Sequence, residues 1–260
     1  MLFGSRRVEV VVTAPRDTRQ DAAYWARAVR ERDRQVVDID RHYRKARPKN
    51  YPSASQWAWA LELPWITKVN AMRAHYSAGS ALVRVAELVE PAMDGWERWM
   101  DVTDEIEGPR YVPWTYRYED VTSTPVNVLD TLSFAALLRP ELVPRGIGLL
   151  GRMGGDATVE RLLGVPGAGG ATPKPVDRLV AVLDAPVGER PKALARYLSG
   201  WYGAHRRTAW YGTDRAAPQS WNYPGYWAVE AAVAAVRLDI DDSRIRSEYY
   251  PRELAEHARG

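Results

Sequence analysis

The chain has 260 residues, 46% hydrophobic and 27% charged, with a formal net charge of +3. That is enough apolar content for a buried core in one large or two small domains, and it excludes a disordered chain. No apolar run approaches the ~20 residues of a membrane helix, and the arginines of "MLFGSRRVEV" follow only a very short apolar piece, so neither a membrane span nor a secretory leader is expected.

Zero cysteines exclude disulfides, thiolate metal sites and cysteine nucleophiles. Charge is spread unevenly. Residues 1–50 carry thirteen Lys/Arg against seven Asp/Glu, whereas Asp94, Glu97, Asp101, Asp104, Glu105 and Glu107 face Arg98 alone between 94 and 108. Fields separated in this way can steer a charged partner, and solvated helix faces also produce them. Eleven Trp and fourteen Tyr stand beside two Phe, a bias suited to half-buried seams because each such ring has an apolar body and a polar tip.

In chain order, residues 6–14 read as a short strand or an extended arm. A long helix follows, capped by Asp17 or Thr18, with Ala22, Trp25, Val29, Val36, Ile39 and Tyr43 recurring at three and four. Ser53 or Ser55 caps a second helix carrying Trp57, Leu61, Trp65, Val69, Met72 and Tyr76, with Pro64 expected to kink or break it. A third runs from Leu82 through Trp96 to Met100, and short connections suggest an antiparallel arrangement. The proline-rich "EGPRYVPWTYRYEDVTSTP" reads as a linker, dividing the chain into residues 1–113 and 114–260; its Trp114, Tyr116 and Tyr118 are read as stitching the two units, with anchoring a partner as the alternative.

Beyond the linker "NVLDTLSFAALL" is a helix, Arg139 to Gly155 is expected to be irregular, and "GVPGAGGATPKP" is a loop. Leu194 to His205, Tyr226 to Ile240 and "YYPRELAEHAR" mark three further helices.

The chemistry-bearing patterns mostly dissolve on inspection. "GIGLLG" at 146–151 lacks the preceding strand that a dinucleotide turn needs. The four histidines show no metal spacing, and no Gly-x-Ser-x-Gly elbow exists. Asp239, Asp241 and Asp242 lack the central glycine of a calcium loop, so they read as turn and cap residues for a helical turn at "SRIRSEYY". Glu230, on an Ala/Val helix, is expected to be buried with Arg206, Arg207 or a Tyr hydroxyl as partner. No catalytic residue, cofactor or metal site is assigned.

Trp201 and Tyr202, Trp210 and Tyr211, Gly225 to Trp227, Glu230 to Ala232, Ile240 to Ser243 and Tyr249 to Pro251 resemble, in order and spacing, the carboxyl-terminal domain of the PoNi family, the polymorphic-toxin nuclease immunity proteins. "RDTRQDAAYW", "MRAHYSAGSAL" and "WERWMD" resemble the family's amino-terminal domain. Together these cover roughly residues 16–101 and 187–258. The resemblance implies an all-α, two-part helical bundle, three long amino-terminal helices packed on a multi-helix carboxyl-terminal domain, in a cytoplasmic bacterial protein. It implies a non-enzymatic antitoxin that binds a cognate toxin, a nuclease delivered by a contact-dependent or type VI secretion system. Trp201, Tyr202, Trp210, Tyr211, Tyr226, Trp227, Glu230, Asp241, Asp242, Tyr249 and Tyr250 would then be scaffold.

A nuclease needs basic residues to hold phosphate, so Asp94, Glu97, Asp101, Asp104, Glu105 and Glu107 are the expected toxin-binding face. Contact with membrane or directly with nucleic acid is not expected, and a homodimer is left open. The alternatives are a nucleic-acid-binding helical module using the basic amino-terminal helix, or a small-molecule enzyme using Glu230.

Overall fold

A computed structural model describes residues 12–46, 48–107, 124–165, 176–215, 220 and 222–260. The expected arm at 6–14 lies mostly outside these residues. The linker aromatics Trp114, Tyr116 and Tyr118, the boundary at 113/114 and most of the glycine-rich loop lie wholly outside them. The fold is all-α, with no strand among the described residues.

The first helix, α1, spans Ala22–Lys45 and is capped by Asp21, which accepts from the Tyr24 amide at 2.7 Å. This corrects the expected cap: Asp17 is buried and accepts from the Arg19 amide instead, in a turn that precedes the helix. Ser53 caps α2 (Ala54–Ser77), accepting from Gln56 N at 3.1 Å. Pro64 lies inside α2 without ending it. An interior proline costs roughly 3 kcal/mol, which is offset because α1 and α4 cover α2 on two sides.

The expected third helix is two: α3 (Leu82–Ala86) and α4 (Val89–Glu107). Pro91 explains the break. It has no N–H for the carbonyl four residues back, and restarting the helix at Val89 puts it in a first turn, where none is needed. Trp65 of α2 stacks on Trp96 and Trp99 of α4 at centroid distances of 5.4 and 5.5 Å. Gly95 permits this, since a Cβ there would stand 3.0 Å from the Trp65 Cα.

The helix α5 (Thr124–Leu138) is buried on every side from Pro125 to Ala135. It packs on α2, α3 and α4 and, on its other flank, on α10 and α11, so one core runs across both halves. Residues 139–155 are not irregular: a helical turn at Pro140–Leu142 leads into α6 (Val143–Arg152). Pro144 sits in the first turn of α6, and Gly146 is a packing residue, because a Cβ would come within 2.4 Å of Leu132 Cδ2. "GIGLLG" is therefore helix rather than a phosphate turn.

After α7 (Ala157–Leu163) and α8 (Val180–Leu183) come α9 (Arg190–Ala204), α10 (Val229–Arg237) and α11 (Arg252–Ala258). The tenth helix is shorter than its apolar run suggests. Tyr226–Ala228 form a buried, non-helical lead-in, and Asp239, at φ +49°, lies beyond the helix end. Segment 243–250 holds turns instead of the expected helical turn.

That lead-in threads between α1 and α2. The Tyr24 hydroxyl donates to the Tyr223 carbonyl at 2.9 Å and accepts from its amide at 3.0 Å. The Trp227 indole donates to Ser77 Oγ at 2.8 Å, which in turn donates to the Pro224 carbonyl at 3.1 Å. Gly225, at φ +101°, lies so close that a Cβ would fall 1.8 Å from Ser77 Oγ. Gly225→Ala is therefore expected to lower stability by about 3 kcal/mol or more. Gly148→Ala, where a Cβ meets nothing within 4 Å on the open face of α6, should be neutral or stabilise by up to about 1 kcal/mol. Urea unfolding of the two variants against the parent measures both.

Candidate protein-binding site

The family-motif aromatics converge on one cluster. Trp201 of α9 stacks on Trp210 at 5.6 Å and lies against Tyr249 at 5.3 Å. Tyr202 stacks between Tyr211, at 4.4 Å, and Tyr249, at 5.5 Å and nearly parallel. The Tyr226 hydroxyl donates to the Trp210 carbonyl at 2.9 Å and accepts from the Asp214 amide at 3.1 Å. Arg19 closes the cluster over Tyr249, its guanidinium carbon 4.9 Å from the ring centre. Trp201, Tyr226, Trp227 and Tyr250 are buried, Tyr202, Trp210 and Tyr249 are half-buried, and Tyr211 reaches solvent.

Glu230 lies beneath this cluster at 1% exposure. Its partners are on α9: the Tyr197 hydroxyl and the Trp201 indole each donate to Oε1 at 2.7 Å. Arg206 and Arg207, the expected arginine partners, are exposed. Burial, then the nearby Asp130 carboxylate, pushes Glu230 up to about 7. Asp130 on α5 receives the Arg73 guanidinium of α2, whose Nη1 also donates to Asn70 Oδ1 at 3.1 Å. Burial pushes Asp130 upward while Arg73 pulls it back. His205 shares this region, its Nδ1–H donating to the Trp201 carbonyl at 2.8 Å, and burial drives its pKa down to about 4. These groups hold α2, α5, α9 and α10 together.

Asp241 and Asp242 divide their work. Asp241 is exposed and accepts from the Ser243 amide at 3.0 Å, a turn contact. Asp242, read from sequence as a cap, is instead a buried anchor. It receives the Tyr250 hydroxyl and, at 3.2 Å, the Arg259 guanidinium, so it binds the 243–250 turns to the final helix.

The acidic residues form a ridge. Glu90, Asp94, Glu97, Asp101 and Asp104 recur at four and three along one face of α4, beside α6. Three arginines from the segment after α5 meet them. Arg139 reaches Glu90 at 3.4 Å; Arg145 binds Asp94 at 2.8 Å and also Glu97; Arg152 binds Asp101 at 2.9 Å and Asp104 at 2.7 Å. Glu105 is exposed beside the ridge, and the Glu107 side chain lies outside the described residues. With Glu105 and Glu141, seven carboxylates against three guanidiniums leave the ridge at a formal charge of −4. Arg98 turns away and donates to the Tyr43 carbonyl at 3.2 Å.

Part of the basic amino-terminal charge is answered within the fold. Arg16 pairs with Glu253, Arg19 with Asp17 and Glu248, Arg34 with Glu31 and Arg41 with Asp38, while Arg32 is buried. One constellation has no sequence signal. His75 lies 3.0 Å from both Ser80 Oγ and Asp33 Oδ1, a Ser–His–Asp chain. Arg84 also holds Asp33 at 3.2 Å, and the chain joins α1, α2 and α3 where α2 ends. Among the described residues no group of three or more His, Cys, Asp or Glu is arranged to hold a metal ion.

Glu230 and His205 act on stability with opposite signs. Glu230 titrates higher folded than unfolded, so its contribution is present below pH 4.5 and is lost as pH rises through about 7. His205 titrates lower folded, so its contribution is present above pH 6.5 and is lost as pH falls through about 4. Relative to the parent, Glu230→Gln should gain stability with rising pH over 4.5–7, and His205→Asn should lose it over 4–6.5. Each difference should reach on the order of 3 kcal/mol, read as the pH dependence of urea midpoints. Arg73→Met, which leaves Asp130 buried without its cation, should cost about 3–5 kcal/mol in the same assay at neutral pH.

Comparison with known proteins follows the same lines. No curated protein matches the chain. The crystal structure of protein PA2201 from Pseudomonas aeruginosa superposes with a TM-score of 0.67 over 95% of this chain and 91% of that one, at 20% identity, a likeness of fold that includes the amino-terminal half. Residues 165–254, which contain the aromatic cluster, Glu230 and Asp242, match the family model "PoNe immunity proteins (PoNi), C-terminal". Over these residues the chain is similar to the carboxyl-terminal domain of the PoNi immunity proteins.

Proposed function

We propose that this chain is a cytoplasmic immunity protein that binds one cognate nuclease toxin, delivered by a contact-dependent or type VI secretion system, and neutralises it by direct contact. The observation that carries the reading is the PoNi match over 165–254, together with the role of its motif residues there. Trp201, Trp227, Glu230 and Asp242 are buried and bonded, Trp201 to Glu230, Trp227 to Ser77 and Asp242 to Tyr250 and Arg259, so they act as scaffold for a preformed surface. A rigid surface binds without paying ordering entropy, which suits tight inhibition. No described helix is long and apolar enough to cross a membrane.

The α4 ridge is the proposed toxin-facing surface. A nuclease presents basic residues where phosphate binds, and a net-negative ridge complements that face and competes with nucleic acid. Arginines 139, 145 and 152 hold the carboxylates at fixed spacing while leaving them in excess. Charge of this kind chiefly sets the association rate and partner choice.

Co-expression of the chain with the toxin domain encoded beside it should restore growth, and the two should co-purify; a neighbouring toxin that kills equally with and without the chain would end the reading. Changing Asp94, Glu97, Asp101, Asp104, Glu105 and Glu107 to Asn or Gln should slow association by about tenfold or more and flatten its salt dependence. Surface plasmon resonance over a salt series reads this, and an unchanged salt slope moves the interface off the ridge.

A further inference from the structure

We propose that an open cleft between α9 and residues 244–249 docks an acidic, extended segment of a partner protein. The cleft encloses about 540 Å3, within the range of sites that hold a ligand. Its floor on α9 is made by Ala195 and Ser199, both exposed and small, one helical turn apart, which leaves room above them. Its far wall is Tyr249, held by its stack on Tyr202 and by Arg19 lying over the ring.

The charge in the cleft is one-sided. Glu248, the one acid lining it, is bound by Arg19 at 2.5 Å. Arg244 and Arg246 line it too, and neither has a carboxylate within ion-pair distance among the described residues. Arg246 instead donates Nη1 to the Ser243 and Ile245 carbonyls at 2.7 and 3.0 Å, which fixes its guanidinium without neutralising it. Arg244 is exposed, and Asp241 feels its field without bonding to it. Two uncancelled guanidiniums beside a rigid ring suit carboxylates flanking an aromatic or aliphatic side chain. Tyr and Arg are also the residue types that carry binding energy at protein interfaces.

A protein segment is favoured over nucleic acid because the cationic charge is confined to two residues of one rim. A backbone of phosphates needs a longer basic track, and Arg19, which lies over Tyr249, is already paired with Asp17 and Glu248. The cleft lies inside the family-matched residues 165–254. The proposal does not require the partner to be a toxin, so it stands or falls separately from the ridge.

The test is selection of a random linear peptide library on the intact protein, followed by fluorescence anisotropy of individual labelled peptides. The expected result is enrichment of Asp/Glu next to Trp, Phe or Leu. Binding should weaken with salt, fall about tenfold on Arg244→Ala and be lost on Ser199→Trp, which fills the floor; Arg145→Ala on the ridge should leave it unchanged. Arg244→Ala decides the matter should Ser199→Trp unfold the chain, and circular dichroism reports that. No enrichment, enrichment of neutral peptides, or binding indifferent to Arg244→Ala overturns the proposal. So does a single-stranded DNA oligonucleotide that binds in an Arg244-dependent way and displaces the selected peptides.

Discussion

A helix buried on every side cannot carry a lone charge, and α5 carries Asp130. Everything around it is arranged to meet that constraint. Arg73 comes from α2 to pair with Asp130, Trp65 donates to Thr131 Oγ1 at 3.0 Å, and the Tyr197 and Trp201 donors keep Glu230 satisfied next to a second carboxyl. Such a pair contributes little net stability compared with apolar side chains, but its geometry admits one register. Sliding α5 by a residue along α2 would strand Asp130 in hydrocarbon, so the two halves of the chain have a single way to pack.

The same logic accounts for the scarcity of phenylalanine. Several rings at the seams are used at both ends. Trp25 packs at 0% exposure while donating to the Asp17 carbonyl at 2.8 Å, Trp227 donates to Ser77, and the Tyr24 hydroxyl both donates to and accepts from Tyr223. Phenylalanine would fill the volume and leave those bonds unmade. The rings therefore act as directional fasteners that hold the surface above them still.

The long stripes were legible in sequence because their periodicity follows from helix geometry: Trp57 to Tyr76 on α2, and the acidic run on α4. The break before Pro91 was legible in principle, but an unbroken apolar repeat from Leu82 to Met100 hid it. The helix α6 was missed because Gly146 reads as flexibility when its role is contact with Leu132 and Met93. Asp242 was taken for a cap because its partners, Tyr250 and Arg259, are set by tertiary packing. The arginines that tie down the ridge come from about fifty residues downstream, and the cleft beside Tyr249 exists only once α9 and the 244–249 turns meet. Spacing along a chain carries no record of either.

Arg16 reaches across 237 positions to Glu253, Arg19 across 229 to Glu248, and Tyr24 across 199 to Tyr223. Contacts separated this far form only after the intervening chain exists, and ordering them is slow. Before the segment from Tyr223 to Glu253 exists, α1 can pack on α2, but the bonds of Arg16, Arg19 and Tyr24 to that segment cannot form. A chain cut before Glu253 would keep most of the helices described here and lose the Arg16 pair that latches the opening segment to α11.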